Sequence, residues 1–289
     1  VKIRLALPSG SLKEATLKLF QQAGIQISVR ERSYVPYFTD PEIEGFLLRA
    51  QEIPRYVAKG DFDAGITGRD WVREQGAKVR EVAELPYAKT GLNPIRWIVA
   101  VPKDSPVRTI RDLNGKRIST EVVNLTRKFL KANKIRAEVE FSWGATEVKP
   151  PSLADAIVEL TETGSSIRAH NLKELAVVMI STTVVIANPG SFKNPAKREK
   201  IENLVMLLSG ALAARSRVGL KMNVPRSKLK QVMALLPALK NPTISSLTDP
   251  KWVSLEVIAD ESQVGRMIPD LKRAGATGII EYPLNKLIY

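Results

Sequence analysis

The stretch FLLRAQEIPRYVAKGDFDAGITGRD, residues 46–70, decides the fold class. Phe46–Arg49 reads as a short apolar strand, and Glu52–Lys59 as a helix stopped by Gly60. Asp63–Thr67 reads as a buried strand that runs through Gly68 into another helix. Strand, helix and strand in so short a span imply α/β layers with a largely parallel sheet. Upstream, Lys2–Leu7 reads as a strand. Ser11, with Glu14 three residues on, makes a capping box for a helix that Gly24 closes.

Downstream a second α/β unit is expected. Its strands are Ile95–Val101, Lys116–Thr120, Arg136–Phe141 and Asp155–Leu160, with a helix at Asn124–Asn133. Glu174–Ala187 is an apolar, β-branched run long enough to cross from one body back into the other, and Pro195–Arg215 has helical periodicity. Beyond it the rhythm changes. Strands at Arg217–Asn223, Thr243–Leu247, Trp252–Ile258 and Thr277–Tyr282 alternate with helices at Ser227–Leu236 and Glu261–Arg273. That is β-α-β-β-α-β, the ferredoxin-like order.

Composition narrows the function. The 289 residues hold no cysteine and one histidine, His170, so disulfides, thiolate metal sites, a Cys nucleophile and multi-His cages are excluded. No apolar run approaches the ~20 residues of a membrane span. The N-terminus carries no charged-then-apolar leader, so a cytoplasmic protein without a membrane partner is expected. The net charge of +14 attracts polyanions, either nucleic acid or phosphorylated substrates. The excess is spread out: residues 216–289 carry 11 Lys/Arg against 6 Asp/Glu, a net +5, leaving +9 for the rest. With aromatics at 6% there is little for base stacking, so nucleic acid is not the expected partner.

The chemistry concentrates in DAIVELTETGSSI, residues 155–167. Asp155 and Glu159, four apart on a strand, fall on one face. The strand leads into Thr161, Thr163, Gly164, Ser165 and Ser166, and a helix from Ile167 to Leu172 is expected next. A small hydroxyl-rich loop at a helix start offers free N–H groups to a phosphate. Acids just before it can hold ribose hydroxyls or Mg²⁺. On these residues alone an ordinary polar turn with solvated carboxylates stays open. No Walker A or GxGxxG pattern occurs.

Here the chain resembles a known family. SLADAIVELTETGSSIRAHNL (152–172) is similar to the signature of ATP phosphoribosyltransferase. LALPSGSL (5–12), residues 47–74 and WGATEVKP (143–150) are similar to its other catalytic blocks. RSKLKQVMALLPALKNPTI and GATGIIEYPLNKLI resemble the regulatory domain of its long form. Departures are Ser9 and Ser11 where Lys and Arg are usual, Ser152 for Gly, Glu159 for Asp, and Ser166-Ile167 for Thr-Leu.

The resemblance implies two periplasmic-binding-protein-like α/β lobes, residues 1–92 plus 184–215 and residues 93–183. A ferredoxin-like regulatory domain, 216–289, would follow. It implies transfer of 5-phosphoribosyl from PRPP to N1 of the ATP adenine, with Mg²⁺ as cofactor and release of pyrophosphate. Thr161, Thr163, Gly164, Ser165 and Ser166 would bind the 5-phosphate, and Asp155 and Glu159 the ribose hydroxyls, directly or through Mg²⁺. Ser9, Gly10, Arg32 and Arg49 are expected at ATP phosphates or pyrophosphate, and Gly144 and Glu147 at the ribose–adenine junction. Histidine would inhibit from a pocket near Lys221, Asn223, Thr243, Ala276 and Thr277. A homo-oligomer, a dimer assembling to a hexamer, is implied. Asp63 and Asp70 read as cap and structural residues, and His170 as a surface residue. The rival classes are a solute-binding module, which shares the two-lobe shape, and a nucleic-acid-binding regulator, supported by charge alone.

Overall fold

In a computed structural model, described here over residues 1–88, 94–236 and 242–289, the first strand β1 (Ile3–Ser9) lies inside a five-stranded sheet. The helix α1 (Lys13–Gln22) is reached through a 3-10 turn, Gly10–Leu12, whose extended N-cap is Ser9. Ser11 lies inside that turn and not at a helix N-cap, so the capping box foreseen there does not form. A two-stranded pair, β2 (Ile27–Ser28) and β3 (Tyr37–Phe38), precedes β4 (Ile43–Arg49). Then come α2 (Ile53–Lys59), β5 (Ala64–Gly68), α3 (Arg69–Gln75) and β6 (Arg80–Leu85).

The second sheet takes β7 (Ile95–Pro102), β8 (Arg117–Thr120), helix α4 (Val123–Ala132), β9 (Glu138–Phe141) and β10 (Ala156–Thr161). After the short helix α5 (Ser165–Ala169), the apolar run splits at Thr182. Its first part, β11 (Leu172–Ser181), joins the second sheet; its second, β12 (Thr183–Ala187), returns to the first. Helices α6 (Pro189–Lys193) and α7 (Pro195–Ala214) follow.

The strand orders are β4-β1-β5-β12-β6 and β11-β7-β10-β8-β9. Neither sheet is largely parallel, which corrects the expectation. β1 runs parallel to β4 and β5, but β12 is antiparallel to β5 and β6. Likewise β10 is parallel to β8, and β7 is antiparallel to β10 and β11. The cause is the double crossing. The chain leaves the first sheet after β6 and comes back as its neighbour β12, so Leu85 pairs with Thr183 and Ile95 with Ser181.

Inner strands explain the continuous apolar runs, because both faces are covered. Val184, Val185, Ile186 and Ala187 are fully buried, as are Ala64 and Ile66. In the second sheet Trp97, Val99, Ile118, Ala156 and Val158 pack with Leu130 of α4. Each large side chain so buried contributes about 1.5–3 kcal/mol.

These elements form one compact unit, Val1–Gln21 with Ile25–Val205; Gln22–Gly24 and Met206–Tyr289 form another. The break at residues 205–206 lies ahead of the expected 215–216, since Leu287 N donates to Gly210 O and so ties the end of α7 to the C-terminal residues. The boundary expected between residues 92 and 93 lies outside the described residues.

The second unit is a four-stranded antiparallel sheet of order β14-β15-β13-β16. β13 (Arg217–Pro225) leads to α8 (Leu229–Met233); β14 (Thr243–Ser246) and β15 (Trp252–Asp260) follow; α9 (Glu261–Arg273) leads to β16 (Thr277–Pro283). Alternate residues Val218, Leu220, Met222 and Val224 join Val253, Leu255, Val257 and Ala259 beneath Val232, Val264 and Leu271. The ferredoxin-like order read from the sequence is the one observed, with α8 shorter than the Ser227–Leu236 helix expected.

Candidate active site

Parallel neighbours end together, and their C-terminal ends bound a crevice. β1 and β4 are in register to their last residues, so Ser9 lies beside Arg49. From the second sheet, β8 and β10 run parallel and deliver Glu121 and Glu159 just past or near their ends. Between them is a cavity of about 280 Å³ lined by Ser9, Gly10, Arg49, Gln51, Glu121, Glu159 and Glu162, with Trp71, Tyr87 and Trp97 as aromatic walls. Gly10 has φ +78, and a Cβ there would stand 3.3 Å from the Arg49 guanidinium, so glycine lets the turn close over that side chain.

The hydroxyl loop adjoins this cavity. Thr161 Oγ1 accepts from Gly164 N at 2.8 Å, and Gly164 takes the left-handed conformation, φ 74, that starts α5 at Ser165. The helix thus begins earlier than Ile167 and ends before Leu172, which opens β11. Ser166 Oγ donates to Glu147 Oε1 at 2.6 Å. Thr163 Oγ1 donates to Ser165 Oγ at 3.1 Å, and Arg168 Nη1 to Thr163 O at 3.1 Å. His170 is exposed, its Nδ1 3.0 Å from Ser166 O.

Three glutamates converge between loop and cavity. Burial pushes Glu159 up to about 7, and the charges of Glu147 and Glu121 push the same way against hydrogen bonds from Leu160 N and Thr146. Burial also raises Glu121, opposed by a hydrogen bond from the Gln51 side chain. Burial would raise Glu147 too, but the Ser166 hydroxyl and its own backbone N–H hold it below the usual range. Among the described residues no group of three His, Cys, Asp or Glu could hold a metal ion.

Of the residues expected from sequence, Ser9, Gly10, Arg49 and Glu159 line the cavity. Thr161, Thr163, Gly164, Ser165 and Ser166 form the loop beside it, tied in through Glu147. Gly144, φ +135, lies in the exposed turn before Glu147. Arg32 is exposed at φ 59 between β2 and β3, outside the lining.

Asp155 requires a correction. It precedes β10, and its carboxylate accepts from Arg117 N at 2.8 Å beside Lys116 Nζ at 3.8 Å. Four residues along a strand span about 13 Å, so Asp155 and Glu159 share a face but not a ligand. Asp155 fastens the start of β10 to β8.

In the second unit, cross-strand register aligns Thr243, Glu256 and Lys221 in one row. Asn223 pairs with Thr277, whose hydroxyl reaches Asn223 O at 3.5 Å, and Ala276 is fully buried.

Sequence reasoning missed Glu121, Gln51 and the lining role of Asp70. Asp70 is fully buried; its carboxylate accepts from Trp97 Nε1 and from Ser181 Oγ, each at 2.8 Å, and burial raises its pKa against those two bonds. Glu121 follows the predicted strand Lys116–Thr120 directly, so the rule that ligands gather at strand C-termini could have found it. Asp63, read as structural, is so: it accepts from Arg4 N at 2.8 Å, Ser191 Oγ at 2.5 Å and Lys197 Nζ at 2.7 Å.

A family model for ATP phosphoribosyltransferase matches residues 49–210, and one for the HisG C-terminal domain matches residues 214–286. ATP phosphoribosyltransferase of Chlorobaculum parvum is 57% identical over 286 residues, covering 99% of this chain and 97% of that protein. The enzyme of Pelotomaculum thermopropionicum is 57% identical over 288 residues, covering 100% of each. Among solved structures, an ATP phosphoribosyl transferase (HisG:HisZ) complex from Thermotoga maritima matches with TM-score 0.61 and 29% identity, covering 72% of this chain and 98% of that one. A periplasmic aliphatic sulphonate binding protein from Escherichia coli matches with TM-score 0.50 at 13% identity, over 98% of this chain and 86% of that one, a likeness of fold alone.

Proposed function

This chain belongs to the ATP phosphoribosyltransferase family, in the long form with a C-terminal domain, and on that premise we propose how its own residues carry the reaction. The enzyme performs the first step of histidine biosynthesis. It joins the 5-phosphoribosyl group of PRPP to N1 of the ATP adenine and releases pyrophosphate.

The N1 lone pair is a nucleophile without help, so the protein's task is positioning and electrostatics. The backbone N–H groups and hydroxyls of residues 161–166 receive the 5-phosphate. Glu159, on the strand that ends in this loop, accepts from the ribose hydroxyls and faces the positive charge that develops at C1′. Arg49, beside Ser9 and Gly10, receives anionic phosphate oxygens. Asp155 takes no part. Glu159, beside the phosphate loop, would help hold the Mg²⁺ that accompanies the substrate phosphates, and the bound ion would make pyrophosphate a better leaving group.

The observation that carries this reading is the position of Glu159. A carboxylate raised to about 7 lies between a phosphate-suited loop and a cavity with aromatic walls. The C-terminal unit takes histidine as inhibitor near Asn223, Thr243, Ala276 and Thr277, with Lys221 and Glu256 in the same row. The family likeness further supports a homo-oligomer, a dimer assembling to a hexamer, acting in the cytoplasm. No helix among the described residues is long and apolar enough to cross a membrane.

The test is pyrophosphate release from ATP, PRPP and Mg²⁺, coupled to pyrophosphatase, with and without histidine. Turnover suppressed by histidine supports both parts; absence of turnover with folded protein overturns the catalytic one.

A further inference from the structure

The cavity poses an electrostatic puzzle. Among its described lining residues Asp70, Glu121, Glu159 and Glu162 are acids, and Arg49 is the cation. Away from the Arg49 end, such a wall does not suit phosphates. It suits the parts of the reactants that become positive. There are two of these, the ribose carbon losing pyrophosphate and the purine ring that alkylation at N1 turns into a cation.

Glu159 stands on β10, the strand that runs into the phosphate loop, and so belongs to the ribose. Asp70 is spoken for by Trp97 and Ser181. Glu121 comes from the neighbouring strand β8, and the Gln51 side chain, reaching over from the end of β4, hydrogen-bonds its carboxylate. We infer that Glu121 is a further catalytic carboxylate, which accepts the hydrogen bond of the purine 6-amino group and takes its proton as N1 is alkylated. The inference rests on the cavity being the transfer site.

The N1 lone pair forms the N1–C1′ bond, and the C1′–O bond breaks with its electron pair leaving on pyrophosphate. The ring becomes a cation with charge spread onto the 6-amino nitrogen. One N–H proton passes from that nitrogen to Glu121, the ring returns to neutrality as the imine, and the carboxyl later releases the proton to water. The charged groups facing Glu121 are Glu147 and Glu159, with Glu162, Asp70 and Arg49 on the same wall. Burial and the Glu147 charge make Glu121 a stronger base than an exposed carboxylate.

The experiment is steady-state kinetics of the full-length Glu121→Gln variant across pH. Glutamine can still accept from the amine but cannot take its proton. The expected result is a kcat lower by about 10²-fold or more, with KM for ATP and PRPP changed little, and activity that recovers as pH rises and solvent takes the proton. A parental kcat, or a loss confined to KM, overturns the inference. Should glutamine unsettle the fold, Glu121→Asp retracts the same charge; a fall in kcat at constant KM supports the role, and a parental kcat there overturns it. Glu159→Gln separates the two layers. If it is inactive while Glu121→Gln is not, this inference alone fails; if both turn over normally, the cavity is not the transfer site.

Discussion

The Trp97 indole donates from Nε1 to the buried carboxylate of Asp70 at 2.8 Å, joining β7 of the second sheet to the first turn of α3 beside the first sheet. Ser181, the last residue of β11, donates to the same carboxylate and accepts from Asp70 N at 2.9 Å. One turn along α3, Glu74 accepts from Asn124 N and Leu125 N at the start of α4. Helix α3 therefore fixes the spacing of the two sheets on which the cavity depends.

Replacing Asp70 by alanine leaves two buried donors without an acceptor. The expected loss is about 3 kcal/mol. Asp70→Asn, which keeps one acceptor oxygen, should lose about 1 kcal/mol. Urea unfolding of both variants measures this; equal stability of parent and Asp70→Ala would remove the buried link from the account.

Glu159 should make the fold less stable as pH rises. Its folded value of about 7 lies above the ordinary 4.5, so between these values the folded chain holds the proton more tightly than the unfolded chain. Stability from this group is fully present below about 4.5, falls as pH rises and levels off above 7, with a ceiling of about 3 kcal/mol. Glu159→Gln should accordingly melt higher than the parent at pH 8 and equally at pH 4. A lower melting temperature at pH 8 would contradict the burial argument.

Much of this was legible beforehand, for physical reasons. The β-α-β-β-α-β order of the C-terminal unit shows in its alternation because one sheet face is buried and the other is open, so Leu220 and Lys221 differ in environment. The crossing run was visible in its length and β-branching. Strand direction was not, since Val184 and Ile186 would be equally buried in a parallel or an antiparallel partner. The hydroxyl loop was legible because Thr, Gly and Ser crowd together. That Glu121 and Gln51 share one site was not, because they meet only when the ends of two sheets face each other. Asp155 misled because face-sharing on a strand says nothing about distance along it.

Asp155→Ala should therefore keep turnover within about 3-fold of the parent. It loses the hydrogen bond from Arg117 N and weak ion pairs, about 1 kcal/mol of stability. Assay and thermal melt together check it; an inactive but folded variant would return Asp155 to the site.

In the C-terminal unit, Thr243→Ala and Asn223→Ala should each raise the histidine concentration for half-inhibition about tenfold, equivalent to about 1.4 kcal/mol. Both side chains are exposed, and neither belongs to the core of Leu220, Met222 and Leu255, so kcat without histidine should be unchanged. Unaltered inhibition in both variants would move the effector elsewhere.

The most direct test of the central claim is pyrophosphate release by Glu159→Gln compared with the parent, at saturating ATP, PRPP and Mg²⁺ and with folding verified by its melt. Glutamine fits the same space but lacks the charge that faces the developing cation at C1′. The account predicts a fall in kcat of about 10²-fold or more. A variant that folds and turns over within about 3-fold of the parent would contradict it and place the transfer site elsewhere.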